Sequence, residues 1–211
     1  MIKLVIFDLD GVLVDACEWH RLALNEALKE ICNYEIPLND HRNIFNGLPT
    51  KVKLKKLIDE KKIPLEDYHS VHKLKQEKTI EIINTSAEKR KEKIQLISWL
   101  KSKNINVACF TNSIRETATL MLKKTGIYDM FELIVTNEDV DKPKPSPEGY
   151  NKVLKHFNYS PEHAMIVEDS IKGIEAAIDS GCKVFEVPNA SVVNIENLKG
   201  FVCENFDTDG W

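Results

Sequence analysis

Two carboxylates directly after a buried apolar run are the residues best suited to chemistry in this chain. The run Lys3–Phe7 has the pattern of a strand covered on both faces, and Asp8, Asp10 and Gly11 follow it. Ligands of open α/β sheets bind beyond the carboxyl ends of the strands. Two close carboxylates repel each other unless a cation lies between them, and Mg²⁺ prefers oxygen ligands. One aspartate would indicate a turn or a helix cap, but Asp-x-Asp-Gly after a strand favours a metal-binding, catalytic role.

A second apolar run, Ile105–Phe110, is also followed by polar residues. Thr111 and Asn112 lie between this run and a helical pattern. Their side chains and the nearby backbone N–H groups would form an edge that binds anions. Capping of the next helix by Asn112 or Ser113 explains the same residues, and the two interpretations are compatible.

Two lysines alternate with prolines in the segment 141–147. The prolines hold the backbone extended and so fix the direction of Lys142 and Lys144. An ammonium group held at the edge of the sheet could neutralise a phosphoryl group or a crowded carboxylate pair. A surface loop with solvated lysines is an equally good interpretation.

A second acidic pair, Glu168 and Asp169, follows the apolar run Ala164–Val167 and precedes a helical pattern. Two acidic strand ends in one sheet suggest a shared metal ion, because uncompensated carboxylates in a crevice are unfavourable. Helix capping by Asp169 or Ser170 is the alternative, and it explains one acidic residue better than two.

The pattern of the remaining chain predicts the elements that position these residues. Further strands are predicted at Leu133–Val135 and Lys183–Val187, and helices at 89–102, 114–125, 147–157 and 171–180. Strands that alternate with helices predict an α/β fold, a Rossmann-like parallel sheet with helices on both faces.

Residues 15–87 break this alternation. Their spacing is helical throughout, at Trp19–Cys32, Thr50–Lys61 and Tyr68–Asn84. We therefore predict an α/β core of residues 1–14 and 88–211, with a small all-helical cap domain, residues 15–87, inserted after the first strand. The lysine-rich runs Lys51–Lys62 and Glu88–Lys93 are expected to be solvated helix faces.

Composition narrows the class of protein further. The chain of 211 residues has 29 Lys and Arg against 33 Asp and Glu, a net charge of −4, which argues against nucleic acid or an anionic membrane as partner. No apolar segment approaches the ~20 residues of a membrane span. Five cysteines without a CxxC pair are typical of free thiols in a reducing compartment. We expect a cytoplasmic protein, a monomer or a small homo-oligomer.

Together the four segments resemble the haloacid dehalogenase (HAD) superfamily, and the resemblance covers the whole chain. The matching motifs are, in order, Asp8-Leu9-Asp10-Gly11-Val12, Thr111 with Asn112, Lys144 in Lys-Pro-Ser-Pro, and Glu168-Asp169. Lys142 offers a competing register for the third motif; Lys144 is preferred because it places Tyr150 three residues after the second proline, as in relatives. The helical insert is similar to the α-helical cap of the β-phosphoglucomutase and phosphoglycolate phosphatase branch.

The resemblance implies an HAD-like phosphoric monoester hydrolase, a Mg²⁺-dependent phosphatase that acts on a small phosphorylated metabolite such as a sugar or polyol phosphate. Asp8 would be the nucleophile that forms an aspartyl-phosphate, and Asp10 the general acid and base. Thr111 and Lys144 would bind phosphoryl oxygens. The implied Mg²⁺ ligands are Asp8, the backbone carbonyl of Asp10, Asp169, and Glu168 directly or through water.

Substrate binding is assigned to Asn112, His20 and Lys75, although His20 could equally be an ordinary half-buried histidine. The alternative function is a β-phosphoglucomutase-like phosphosugar mutase. Mutase-like relatives carry an arginine soon after the cap glycine, whereas Gly47 is followed here by Leu-Pro-Thr-Lys. This departure favours the phosphatase. A dehalogenase would use the same nucleophile but would need neither Asp10 nor the second acidic pair.

Overall fold

The computed structural model describes residues 1–207 and contains a parallel five-stranded sheet. The strands are β1 (Leu4–Phe7), β2 (Asn106–Phe110), β3 (Leu133–Val135), β4 (Ala164–Glu168) and β5 (Lys183–Glu186), in the spatial order β3-β2-β1-β4-β5. β1 lies at the centre and pairs with β2 on one side and β4 on the other. The strand order reverses here, which places a ligand crevice beyond the carboxyl ends of these three strands.

Helices cover both faces of the sheet. They are α5 (Lys91–Ser102), α6 (Arg115–Thr125), α7 (Glu148–Phe157), α8 (Ile171–Asp179) and α9 (Ile195–Asn205). Alternate residues of β1 enter separate hydrophobic clusters: Val5 and Phe7 lie in one, and Leu4 and Ile6 in the other. Burial on both sides explains why the run is continuously apolar. The predicted Rossmann-like α/β class is confirmed.

The predicted all-helical insert follows β1. It consists of α1 (Cys17–Cys32), α2 (Leu38–Asp40) continuing into a π-helical turn (His41–Phe45), α3 (Thr50–Asp59) and α4 (Tyr68–Ser86). The insert has a hydrophobic cluster of its own, to which Leu28, Leu54 and Val71 belong. That separate core supports a cap domain at 15–87, a division that remains our proposal.

The sequence prediction does not include α9 or the segment Leu38–Phe45. α9 is capped by Asn194, whose side chain accepts a hydrogen bond from the backbone N–H of Asn197 at 3.0 Å. Gly200, in the middle of this helix, has a low helix propensity, which weakens the helical signal of the segment. The segment Leu38–Phe45 is too short to show a period.

The expectation that both lysine-rich runs are solvated is wrong at two positions. Lys53 is only 7% exposed and Lys93 is fully buried. The Lys93 ammonium group donates to the backbone oxygens of Ala190 and Val193 at 2.5 and 2.7 Å. A helix turns every 3.6 residues, so a long run of lysines on one helix cannot keep every member on the solvent face.

Gly11 allows the chain to turn sharply after β1. Its φ of 94° lies in the left-handed region, and a β-carbon at this position would collide with the carboxylate of Asp169. The loop after β1 can therefore approach the acidic end of β4. Among residues 1–207, no helix has both the length and the apolar character needed to cross a membrane.

Candidate active site

Lys144 bridges the acidic ends of β1 and β4. Its Nζ atom lies 2.6 Å from Oδ1 of Asp8 and also forms an ion pair with Glu168, and all three side chains are buried. The aromatic rings of Phe110 and Tyr150 flank the ammonium group at 4.8 and 5.1 Å from their centroids. Lys142, in the competing register, is exposed. The preferred alignment of the third motif, on Lys144, thus places its lysine in the site.

Burial and neighbouring charges strongly shift the pKa values of Asp8 and Lys144. Burial raises the pKa of Asp8 well above its ordinary value; Lys144 opposes the shift, and the carboxylates of Glu168 and Asp169 add to it. Burial alone would lower the pKa of Lys144, but Asp8 and Glu168 raise it well above its ordinary value. One ammonium group therefore faces more negative charge than it can neutralise.

Asp10 is the centre of a second network. His20 Nε2 lies 3.0 Å from its Oδ1, and the hydroxyls of Ser113 and Thr111 donate to its Oδ2 at 2.7 and 3.3 Å. Burial would raise the pKa of Asp10, but the charge and hydrogen bond of His20, with the bond from Ser113, lower it to about 2. Asp10 is thus a carboxylate at neutral pH, held where β1 and β2 end.

The acidic groups fit a hard divalent cation. Asp8, Glu168 and Asp169 each offer a carboxylate oxygen, and these atoms lie within 4.8 Å of one another. Oδ1 of Asp169 is buried and has no hydrogen-bond partner among residues 1–207. Burial, followed by the charge of Glu168, raises the pKa of Asp169 to about 7. A cation with oxygen ligands would satisfy that atom and stabilise the ionised carboxylates.

Glu168 differs from the other two acids because both of its oxygens already accept hydrogen bonds. Lys144 and the Tyr150 hydroxyl, at 3.1 Å, donate to Oε1. The backbone N–H groups of Asp169 and Ser170 donate to Oε2 at 2.9 and 3.1 Å. Glu168 therefore holds the side chain of Lys144 and the backbone at the start of α8 in place.

Asn112 connects the insert to the loop that carries Lys144. Its amide nitrogen donates to the backbone oxygens of Gly47 at 2.7 Å and Lys144 at 3.2 Å, and its Oδ1 accepts from the backbone N–H of Lys144 at 3.1 Å. The predicted contact of Asn112 with substrate remains a prediction; here its amide positions the loop that carries Lys144.

The insert contributes both of its predicted residues to the site. Lys75, on α4, is 5% exposed, and its Nζ lies 3.2 Å from Nδ1 of His20, on α1. Burial, and after it the charge of Lys53, lowers the pKa of Lys75 to about 7, while Asp10 opposes the shift. Together with Asp8, Asp10, Thr111 and Lys144, these side chains line a cleft of about 80 Å³.

The sequence analysis does not assign several residues of this cleft to a site, among them Ser113, His41 and Lys53. Ser113 was weighed only as a helix cap. Lys53 was assigned to a solvated face, although it lies beside Leu54 and four residues before Leu57, both buried. That spacing marks the inward face of α3 and could have identified Lys53. His41 lies in the short helical segment that shows no period.

The fold and the site together define a class: α/β enzymes with an acidic cluster at the carboxyl edge of a parallel sheet, next to a helical insert. Residues 5–187 match the family model described as haloacid dehalogenase-like hydrolase. The chain belongs to this family, and the resemblance seen in its motifs is confirmed, as is the prediction of a hydrolase.

Known proteins similar to this chain cover most of its length. A phosphorylated carbohydrates phosphatase of Thermotoga maritima is 31% identical over 182 residues, 84% of this chain and 81% of that protein. The crystal structure of CbbY from Rhodobacter sphaeroides in complex with phosphate superposes with a TM-score of 0.80 at 25% identity, covering 90% and 87% of the two chains. A β-phosphoglucomutase from Clostridium difficile reaches 0.82 at 20% identity, covering 97% and 98%, and shows the fold alone.

Proposed function

We propose that this protein is a Mg²⁺-dependent phosphatase that hydrolyses a small phosphorylated metabolite, such as a sugar or polyol phosphate, through an aspartyl-phosphate at Asp8. The observation that carries the proposal is the buried contact of Lys144 with Asp8 beside the acidic cluster. A carboxylate so placed can attack phosphorus while a fixed cation binds the phosphoryl oxygens. The name of the Thermotoga relative, a phosphatase of phosphorylated carbohydrates, agrees with this substrate class.

In the proposed mechanism Asp8 attacks phosphorus, and Lys144 and Thr111 bind the phosphoryl oxygens. Asp10, with a pKa of about 2, is ready to accept the proton of the water that later hydrolyses the aspartyl-phosphate. Protonation of the leaving alcohol requires that Asp10 first receive a proton. Burial lowers the pKa of His20, so its ring is neutral at neutral pH and carries one proton. His20 can pass that proton from Nε2 to Asp10, 3.0 Å away, if its Nδ1 takes a proton from the Lys75 ammonium group, 3.2 Å away.

We propose that Mg²⁺ is held by Asp8, the backbone carbonyl of Asp10, and Asp169, with Glu168 acting directly or through water. When bound, the ion would neutralise charge on the phosphoryl oxygens. The unpartnered Oδ1 of Asp169 supports this assignment. The five bonds that Glu168 accepts favour contact through water.

We infer that residues 15–87 form a cap that closes over a core of residues 1–14 and 88–211. Short connections near Val14–Cys17 and Thr85–Glu88 would let the cap open for substrate and close to exclude water. The small cleft favours a small metabolite over a phosphoprotein or duplex nucleic acid. Five free thiols support a cytoplasmic location, and we expect a monomer or a small homo-oligomer.

The proposal is tested by phosphate release from a panel of sugar, polyol and carboxylic acid phosphates. Release should require Mg²⁺ and stop in excess EDTA. Asp169→Ala should raise the Mg²⁺ concentration for half-maximal activity by at least about tenfold, because it removes a ligand. Asp179→Ala, an exposed acid at the end of α8, is the matched control. Full activity in excess EDTA would contradict the metal assignment. Conversion of a sugar 1-phosphate to a 6-phosphate would indicate the mutase.

A further inference from the structure

Helix α8 presents three isoleucines to solvent on one face. Ile171 and Ile178 are 70% and 59% exposed, and Ile174, which lies between them, is half-buried. A helix turns every 3.6 residues, so positions three, four and seven apart share a face. The buried residues of α8 lie on the opposite face, which packs on β4 and β5. The packing of α8 within one chain therefore leaves this isoleucine stripe uncovered.

The isoleucine stripe differs from the other exposed apolar groups of the described chain. Among residues 1–207, four large apolar side chains are more than half exposed: Met1, Leu65, Ile171 and Ile178. Met1 is the first residue of the chain, and Leu65 lies in a short turn of the insert. Single exposed apolar residues are ordinary, but Ile171 and Ile178 lie about 10 Å apart on one helix, with Ile174 between them. Contiguous exposed apolar surface indicates an interaction site.

Two charged residues flank the isoleucine stripe on the same side. Lys172 lies near the start of α8 and Glu175 one turn later, and the two form an ion pair at 3.2 Å with side chains 38% and 50% exposed. On the helix surface both lie to one side of the line that joins Ile171 and Ile178. This rim of the stripe is therefore positive toward the start of the helix and negative toward its end.

We propose that the isoleucine stripe is the centre of a dimer interface between two copies of this chain. A twofold axis beside Ile174 pairs the two α8 helices antiparallel. Ile171 of one copy then lies opposite Ile178 of the second copy, and the two Ile174 side chains meet near the axis. Lys172 of each copy lies within about 3 Å, along the helix axis, of Glu175 in the other. A symmetric interface must be complementary to itself, and both the apolar and the charged groups of α8 meet this condition.

The energy of association comes from the isoleucines. Dimerisation removes three of them on each copy from water, and the rim charges favour one orientation of the two helices. A few residues at the centre of an interface carry most of its affinity, so the dimer depends on this stripe. None of the three isoleucines lines the catalytic cleft, so the inference does not depend on the proposed phosphatase function.

The test measures association of the purified protein by sedimentation velocity, from micromolar to submillimolar concentration. The wild-type protein should form a dimer. Ile171→Glu and Ile178→Glu should each raise the Kd of the dimer by at least about tenfold, because each change places carboxylates at the apolar centre. Leu65→Glu is the matched control, since it makes the same kind of change at an equally exposed residue of the insert; it should keep the wild-type Kd. Thermal unfolding checks that all three variants are folded.

The orientation is tested by reversing the rim charges. Lys172→Glu and Glu175→Lys should each weaken the dimer, because like charges then face each other across the interface. An equimolar mixture of the two variants should associate more tightly than either variant alone, because opposite charges again face each other in the mixed dimer.

A wild-type protein that sediments as a monomer at every concentration would overturn the inference. An oligomer that persists unchanged in both Ile171→Glu and Ile178→Glu would also overturn it, because its interface would lie elsewhere. A mixture of the charge variants that associates no better than its components would overturn the antiparallel pairing.

Discussion

At the scale of single residues, the site depends on one ammonium group shared between two strands. Lys144 contacts Asp8 at the end of β1 and Glu168 at the end of β4, with a side chain only 2% exposed. Proline residues on both sides hold its backbone, and Asn112 binds its peptide N–H and carbonyl groups. The chain therefore fixes the position of the charge before any substrate binds.

Lys144→Met should lower kcat/KM for any accepted phosphate ester by at least about 10²- to 10³-fold, as for the loss of one fixed donor to developing charge. It also leaves the buried carboxylates without a cation, so thermal unfolding should be measured alongside. The control Lys142→Met changes an exposed lysine of the same loop. Its kcat/KM should stay within about twofold of wild type. Equal losses in both variants would show that the loop matters and not the charge of Lys144.

At the scale of elements, the strands that carry the site are predictable from sequence. Continuous apolar runs predicted β1, β2 and β4 to within a residue or so, because burial on both faces leaves no polar alternation. The polar residues directly after these runs had to share one edge, since the strands are parallel. Asp8, Thr111 and Glu168 follow from that argument alone.

The residues that the insert contributes to the cleft were harder to predict. The rotation of each helix about its axis decides which side chains face the cleft, and sequence spacing alone does not fix that rotation. His20 and Lys75 came from family resemblance. The sequence analysis does not identify His41, because its short helical segment shows no period. It assigns Lys53 to a solvated face because of the surrounding lysines, although the buried Leu54 and Leu57 mark the inward face of α3. Ser113 shows a further limit: a residue that can cap a helix can also donate to Asp10, and only the fold separates the two roles.

Lys75→Ala tests the contribution of α4. It removes the ammonium group next to His20, so kcat/KM for the preferred metabolite should fall far more than for p-nitrophenyl phosphate, whose leaving group needs little from the cap. We expect the ratio of the two values to change by at least about tenfold. Lys73→Ala, on the exposed face of the same helix, should leave the ratio as it is. Equal losses of kcat/KM on both substrates would show that Lys75 does not recognise the leaving group.

At the scale of the whole molecule, the insert and the sheet complete each other's site. Asn112 in the core binds Gly47 in the insert, and the chain of contacts from Lys75 through His20 reaches Asp10. The sheet edge contributes the proposed nucleophile and Lys144, and the insert contributes Lys75 and the proposed proton carrier, His20. Neither part alone would enclose a phosphate ester away from water.

The central claim, a phosphoryl group carried by Asp8, is tested most directly by trapping it. The protein is mixed with its best substrate and Mg²⁺, quenched in acid within milliseconds, digested and examined by mass spectrometry. The account predicts a phosphorylated peptide that contains Asp8, absent in excess EDTA and absent from Asp8→Asn. A phosphoryl group on another residue, or an Asp8→Asn variant that keeps more than about a tenth of wild-type turnover, would contradict it.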